Sequence, residues 1–251
     1  MNIEKLKTLL EEQKIDLKYF DEIDSTNLEA KRLINSGPLN RPLAIVANAQ
    51  TAGYGRNGRS FYSPKQVGLY LTLVLPAGTD EFNPGKITTA LAVVAVEAIR
   101  DITKIQVQIK WVNDLYLNEH KVGGILTELD NEHLIIGMGL NLEPTDYPTE
   151  IAERVGALSA QNGIQVEELI SQLTTKWLQQ MQYPVDLMER YQKYSNLLQK
   201  KVVLAVGQQE VAGIVTGFGT SGEIILESDQ GQQAFHSGEV IKVLKVEGLE
   251  L

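Results

Sequence analysis

The stretch QTAGYGRNGRSFYSP, residues 50–64, satisfies two phosphate-loop patterns at once. Gly53-x-Gly55-x-x-Gly58 fits the dinucleotide pattern, and Gly53 to Ser60 fits a triphosphate loop with Arg59 in place of its lysine. Both patterns need a helix directly after the glycines, whose N-terminal amides and dipole hold the phosphates. Here Pro64 and a strand-like run follow instead. No acidic residue to hold a ribose occurs before Asp80. Both readings fail. What is left is a glycine loop that joins two strands and carries Arg56 and Arg59, planar forks suited to a phosphate or a carboxylate. Three glycines in six residues let the backbone pass close to a ligand, or stay mobile until one arrives. A glycine-rich hairpin with solvated arginines would share this pattern.

Working outward, "LAIVANAQ" before the loop has the length of a buried strand, and Val67 to Pro76 alternates Leu69, Leu71 and Leu73 against Tyr70 and Thr72. Ile3, Leu6, Leu9 and Leu10 predict a short N-terminal helix. Thr26-x-x-Glu29 fits a capping box for a second helix, which Gly37-Pro38 stops. Pro84 opens the clearest helix, with Ile87, Leu91, Val94, Ala95, Ala98 and Ile99 on one side. "IQVQIKW" reads as a strand, residues 114–129 as a hairpin turning at Asn118-Glu119-His120, and "HLIIGMGLNL" as a strand whose Gly137 and Gly139 imply close approach by a backbone or ligand. Two helical patterns follow, on Leu169, Leu173, Trp177 and on Leu187, Tyr191, Tyr194.

From Lys200 onward, short β runs alternate with glycine-rich turns in the manner of a small barrel. The predicted class is therefore α+β, with a mixed or antiparallel sheet and flanking helices. A boundary near Leu197 to Gln199 divides residues 1–196 from a small β unit, 197–251.

The 251 residues include no cysteine and 3 histidines, which removes disulfides, thiolate catalysis and Cys-based metal sites and disfavours a multi-histidine one. No apolar run is long enough for a membrane span and no signal peptide is evident, so a cytoplasmic protein without membrane association is expected. Net charge is −9, against broad nucleic-acid affinity. Yet Lys31 to Thr79 carries six cations and no carboxylate, +6 against −15 elsewhere. Such a basic island suggests a local anion site.

A second block, Lys110 to Leu129, places Lys110, Asn113 and Asp114 just after an apolar strand, where cores avoid charge. Lys121 stands beside Gly123-Gly124, a pair that permits a tight ligand contact. Taken together, "DSTN", "AQTAGYGRNGRSFYSP", "KWVNDLYL" and "KVGGIL", in this order and spacing, resemble the biotin protein ligases, whose strings are DSTN, GRGRxGRxW, KWPND and KxxGIL. The resemblance covers Phe20 to Asn141 in motif detail. It extends to the C-terminus in layout, and so implies a class II synthetase-like catalytic domain and a C-terminal SH3-like β-barrel.

The resemblance implies that ATP and biotin give biotinyl-5'-AMP and pyrophosphate, with Mg2+, before a lysine of a biotin carboxyl carrier domain accepts the biotinyl group. It implies biotin contacts from Ser25, Thr26, Asn27, Gln50, Gly53, Tyr54 and Gly55, and from Arg56, Lys121 and Gly124 at the carboxylate. Arg56, Lys121 and Asp114 take the catalytic roles. Arg56, Arg59, Phe61, Lys110, Asn113 and Asn141 face the nucleotide, and Asp114 and Asn141 the metal. Three positions depart from the family strings: Tyr54 replaces an arginine, Phe61 a tryptophan and Val112 a proline.

Family members that double as repressors carry an N-terminal winged helix. Only about 20 residues precede DSTN here, so a ligase without DNA binding is expected. A homodimer through exposed strand edges, common in the family, is compatible with the sequence. The nearest rival is a lipoate–protein ligase of related fold.

Overall fold

A computed structural model describes residues 1–77, 82–160 and 163–244. In chain order it runs α1 (Ile3–Glu12), β1 (Asp16–Phe20), α2 (Thr26–Ser36), β2 (Leu43–Ala47), β3 (Gly68–Pro76) and α3 (Pro84–Thr103). Strands β4 (Gln108–Lys110), β5 (Asp114–Leu117), β6 (His120–Asp130) and β7 (His133–Asn141) follow. Then come α4 (Thr149–Ala152), α5 (Val166–Gln182) and α6 (Met188–Tyr194). The chain closes with β8 (Lys201–Val206), β9 (Gln209–Phe218), β10 (Ile224–Ser228), β11 (Gly231–Phe235) and β12 (Glu239–Leu244).

The first seven strands form one sheet in the order β1-β2-β3-β7-β6-β5-β4, parallel only between β1 and β2. The mixed sheet and flanking helices match the expected α+β class. Strand β3 is buried on both faces, Tyr70 and Thr72 included, because α5 packs on one side of the sheet and α2 crosses β2, β3 and β7 on the other. The predicted Ile105–Trp111 strand is only the three residues of β4, an edge strand that pairs with β5 alone. Helix α3 starts as the sequence implies: Pro84 takes a first-turn position, where no N–H is needed, and the Asn83 side chain accepts from the Lys86 amide. Its Ala and Val surface lets it lie close to α5, α6 and β6. The β5–β6 hairpin turns where predicted, with Asn118 in the left-handed region.

The last five strands form an antiparallel sheet in the order β11-β10-β9-β8-β12. The expected closed barrel is not seen. Strands β11 and β12 are its two edges, so this sheet is open; residues 245–251 of the expected C-terminal unit lie outside the described residues. It is fastened to the rest of the fold by Trp111, just after β4, whose Nε1 donates to the Gly222 carbonyl at 2.8 Å, and by the edge-to-face pair of Tyr191 on α6 with Phe218 at 5.0 Å. No helix among the described residues is long and apolar enough to cross a membrane.

Glycines cut a notch in β6 and β7, for a reason only partly anticipated. A Cβ at Gly137 would fall inside the Asn27 amide, and one at Gly139 inside the Phe61 ring. The close approach comes from side chains of α2 and the glycine loop. Gly123 differs from its neighbour: its Cβ would lie 2.6 Å from the Gly139 carbonyl oxygen, so it answers to strand packing and not to a ligand. Gly124 turns toward Asp114 on the other face, as side-chain alternation requires. Gly123→Ala should therefore destabilise the protein by about 1–3 kcal/mol, the usual cost of overpacking against backbone. A thermal unfolding midpoint equal to wild type would contradict this.

Candidate active site

Six segments meet at one cavity of about 130 Å3: the start of α2, the glycine loop, the β4–β5 turn, the first half of β6, Gly137 to Gly139 on β7, and Gly238 to Val240. Of the residues singled out from sequence, Ser25, Thr26, Asn27, Gln50, Tyr54, Gly55, Arg56, Arg59, Phe61, Lys110, Asn113, Asp114, Lys121 and Gly124 line it. Gly53 and Asn141 stand just outside. Gly53 is packed by Ser63, Gln50 and the Phe61 carbonyl, and Asn141 Nδ2 donates to the Gly156 carbonyl at 2.9 Å.

The loop itself is a hairpin with a 3₁₀ turn at Arg56–Gly58. The Phe61 amide donates to the Gly53 carbonyl and the Gly55 amide to the Arg59 carbonyl, both at 2.8 Å. Asn57 and Gly58 take left-handed backbone there, which is why a glycine is needed at the tip.

One end of the cavity is a web of neutral polar groups. The Thr26 amide and hydroxyl donate to Gln50 Oε1 at 2.9 and 3.1 Å, and Gln50 Nε2 donates to Ser63 Oγ at 3.0 Å. Buried Thr72, on β3, reaches Thr26 Oγ1 at 2.8 Å and Asn27 Oδ1 at 2.5 Å. The predicted capping box is absent. Ser25, not Thr26, is the N-cap of α2, its side chain makes no capping bond, and Glu29 instead binds Arg32. Both hydroxyls are given to the cavity side. Asp24 secures this corner in their place: it accepts both Arg32 terminal nitrogens at 2.8 Å and the Ser25 amide at 2.7 Å. The Arg32 bonds hold its carboxyl down at about 2.

The other end is charged. The basic island inferred from sequence is largely neutralised by folding: Lys31 pairs with Glu128, Arg32 with Asp24, Arg41 with Glu11, Lys65 with Asp21 and Arg59 with Glu239. Among the described residues, Arg56 alone of the six has no ion-pair partner, and it lines the cavity. Lys110 faces the same space, over the Tyr116 ring at 5.5 Å. Burial pushes its ammonium below the ordinary lysine value, outweighing the opposing pull of Asp114 and Glu239. Lys121 Nζ is 2.6 Å from Asp114 Oδ1. The Arg59 hydrogen bonds hold Glu239 below the usual carboxylate range.

Sequence reasoning missed three contributors. Glu128 lies on the site face of β6 and gathers bonds from α2 and the loop; a carboxylate inside the otherwise uncharged run 122–129 was its only signal. Trp111 positions the second sheet, and Glu239 comes from that sheet with no signal in the motifs. Tyr54, expected among the biotin contacts, donates to Glu128 at 2.8 Å. The Trp111–Val112 peptide bond, at the position of the proline in the resembled string, is cis. A larger groove of about 840 Å3 borders Phe82, Leu134, Leu178 and Met181, but its lining is mostly apolar and brings together no comparable set of charges.

Residues 19–141, from the end of β1 through β7, match the biotin/lipoate A/B protein ligase family. The chain is also similar to proteins named as biotin ligases. It is 29% identical to the biotin–[acetyl-CoA-carboxylase] ligase of Paracoccus denitrificans, over 86% of this chain and 96% of the relative. It is 28% identical to the bifunctional ligase/repressor BirA of Escherichia coli, over 87% of this chain and 71% of the relative. The biotin protein ligase of Aquifex aeolicus, solved in complex with biotin and ATP, superposes with a TM-score of 0.77 at 26% identity, covering 89% of this chain and 97% of that one.

Lys110 gives a stability test with a definite sign. Its folded-state pKa lies below the unfolded value, so the cost of holding it charged is fully present below the folded pKa and is gone above the unfolded one. Lys110→Met should raise the melting temperature at neutral pH, with the gain shrinking as pH climbs toward the ordinary lysine range. A lowered melting temperature at neutral pH would contradict this assignment.

Proposed function

We propose that the protein activates biotin with ATP to biotinyl-5'-AMP, releasing pyrophosphate, and transfers the biotinyl group to a specific lysine of a biotin carboxyl carrier domain. The observation that carries this reading is the unpaired Arg56 guanidinium in the same cavity as Lys110 and Lys121, cations supplied by two separate hairpins. A carboxylate attacking an α-phosphate brings two anions together, and fixed cations lower that barrier where water is excluded. Arg56 and Lys121 would hold the biotin carboxylate and the phosphate formed from it. Lys110, Arg59 and Asn113 would face the remaining nucleotide, with the Phe61 ring beside its base. In the second step a lysine amine attacks the acyl carbon, AMP leaves, and no covalent link to this protein is needed.

Among the described residues no cluster of His, Cys, Asp or Glu side chains could hold a metal alone. That suits magnesium, which uses one or two carboxylates beside substrate phosphates and keeps its waters. Asp114 lines the cavity and would hold it, screening phosphate charge; Asn141 would act from behind, through the segment it anchors at Gly156.

The neutral web of Ser25, Thr26, Asn27, Gln50 and Thr72 favours biotin over lipoate. A ureido ring offers N–H donors and a carbonyl acceptor to such groups. A dithiolane offers neither and would leave buried polar groups unpaired. The same reading divides the chain at residue 197. It also takes the second sheet as SH3-like, supported by a meander whose last strand returns beside its first. It places the enzyme in the cytoplasm.

Exchange of labelled pyrophosphate into ATP should depend on biotin and not on lipoate; the reverse preference would defeat the proposal. Arg56→Ala should keep its melting temperature, since no partner is lost, and lose about 10²-fold in exchange, the scale of one electrostatic contact to a transition state. Wild-type exchange in this variant would mean that the anion site lies elsewhere.

A further inference from the structure

Glu128 does not line the cavity, yet three hydrogen bonds converge on it from the elements that build the neutral end. Asn27 Nδ2 donates to Oε2 at 3.0 Å, Tyr54 Oη to the same oxygen at 2.8 Å, and Lys31 Nζ to Oε1 at 2.6 Å. Asn27 and Lys31 stand on α2, while Tyr54 stands on the glycine loop. Its side chain is only 23% exposed, so these bonds form with little competition from water. Among the described residues, Tyr54–Glu128 and Arg59–Glu239 are the side-chain bonds that tie the loop tip to other elements.

The chemistry of a carboxylate makes Glu128 more than a brace. The amide of Asn27 lies so tightly on the β7 backbone that a Cβ at Gly137 would overlap it. Sterics therefore fix where the amide sits, leaving open only which way round it faces. On its other side is the Thr72 hydroxyl, 2.5 Å from Oδ1, and a hydroxyl can donate or accept. An ionised carboxylate can only accept. It forces Nδ2 outward to itself and Oδ1 inward, toward Thr72.

We infer that Glu128 is a positioning residue that sets the donor–acceptor polarity of the biotin-ring end by fixing the orientation of the Asn27 amide. The inference rests on the proposed biotin reaction and adds the residue that makes its ring recognition directional. A glutamine at 128 would accept or donate equally well, and Asn27 would lose its single orientation. An aspartate at 27 beside Glu128 would set two acceptors against each other. Glutamine at 128 with aspartate at 27 restores one donor and one acceptor in the same space, and again presents oxygen to Thr72.

The test compares wild type, Glu128→Gln, Asn27→Asp and the double variant by calorimetric biotin affinity and by pyrophosphate exchange at saturating biotin, with melting curves for each. Each single variant should lose about 10-fold or more in biotin affinity, with the KM for ATP within about 2-fold of wild type. The double variant should bind biotin more tightly than Asn27→Asp alone, a non-additivity expected only of groups in one network. Multiplying losses in the double variant would overturn the inference, as would equal losses for biotin and ATP, wild-type affinity in Glu128→Gln, or unfolding of both Glu128 variants. If wild type itself shows no biotin-dependent exchange, the reaction is misread. Failure confined to the variants condemns only the role of Glu128.

Discussion

Positive charge without a local counterion is what the rest of this structure arranges. A guanidinium or ammonium withdrawn from water costs free energy unless a carboxylate or a ligand meets it. Folding supplies carboxylates to five of the six cations in the basic stretch and leaves Arg56 facing the cavity. Lys110 is left there too, partly stripped of water, with its charge disfavoured by burial. A bound anion would complete both. The cavity is thus preorganised for negative charge before any ligand arrives, which is where electrostatic catalysis draws its strength.

The fold serves this arrangement by bringing distant segments to one notch. Strands β6 and β7 lie side by side, and glycines at 124, 137 and 139 remove the side chains that would fill the space above them. Asn27 comes in over Gly137 and Phe61 over Gly139, so α2 and the glycine loop are seated by backbone and not by flexible contacts. The second sheet closes the charged end. Trp111, one residue from Lys110, grips it at Gly222, and Glu239 at the start of β12 meets Arg59. An element remote in sequence therefore takes part in the electrostatics of the site.

Much of this was legible in the chain, because the decisive features are local. The failure of the phosphate-loop readings followed from Pro64 and the strand after it, and the structure puts β3 there. Helix α3 was legible from Pro84 and its apolar period, and the β5–β6 turn from Asn118. What escaped depends on partners far away in sequence. Thr26-x-x-Glu29 fits a capping box locally, yet Gln50 and Thr72 claim the threonine and Arg32 claims the glutamate. Gly123 and Gly124 look alike in sequence, and only strand alternation against β7 shows that one serves packing and the other the site. Glu128 and Glu239 belong to no motif; their meaning lies in what Tyr54, Asn27 and Arg59 do across long separations. The closed barrel was read from turn spacing, which fixes strand number but not whether the outer strands meet.

The measurement that bears most directly on the central claim is a structure of the protein with biotinyl-5'-AMP bound. The account predicts that the Arg56 guanidinium lies within hydrogen-bonding distance of the adenylate phosphate or the acyl oxygen beside it, with Lys121 on the same group. A complex in which Arg56 points to solvent while another cation neutralises that phosphate would contradict it.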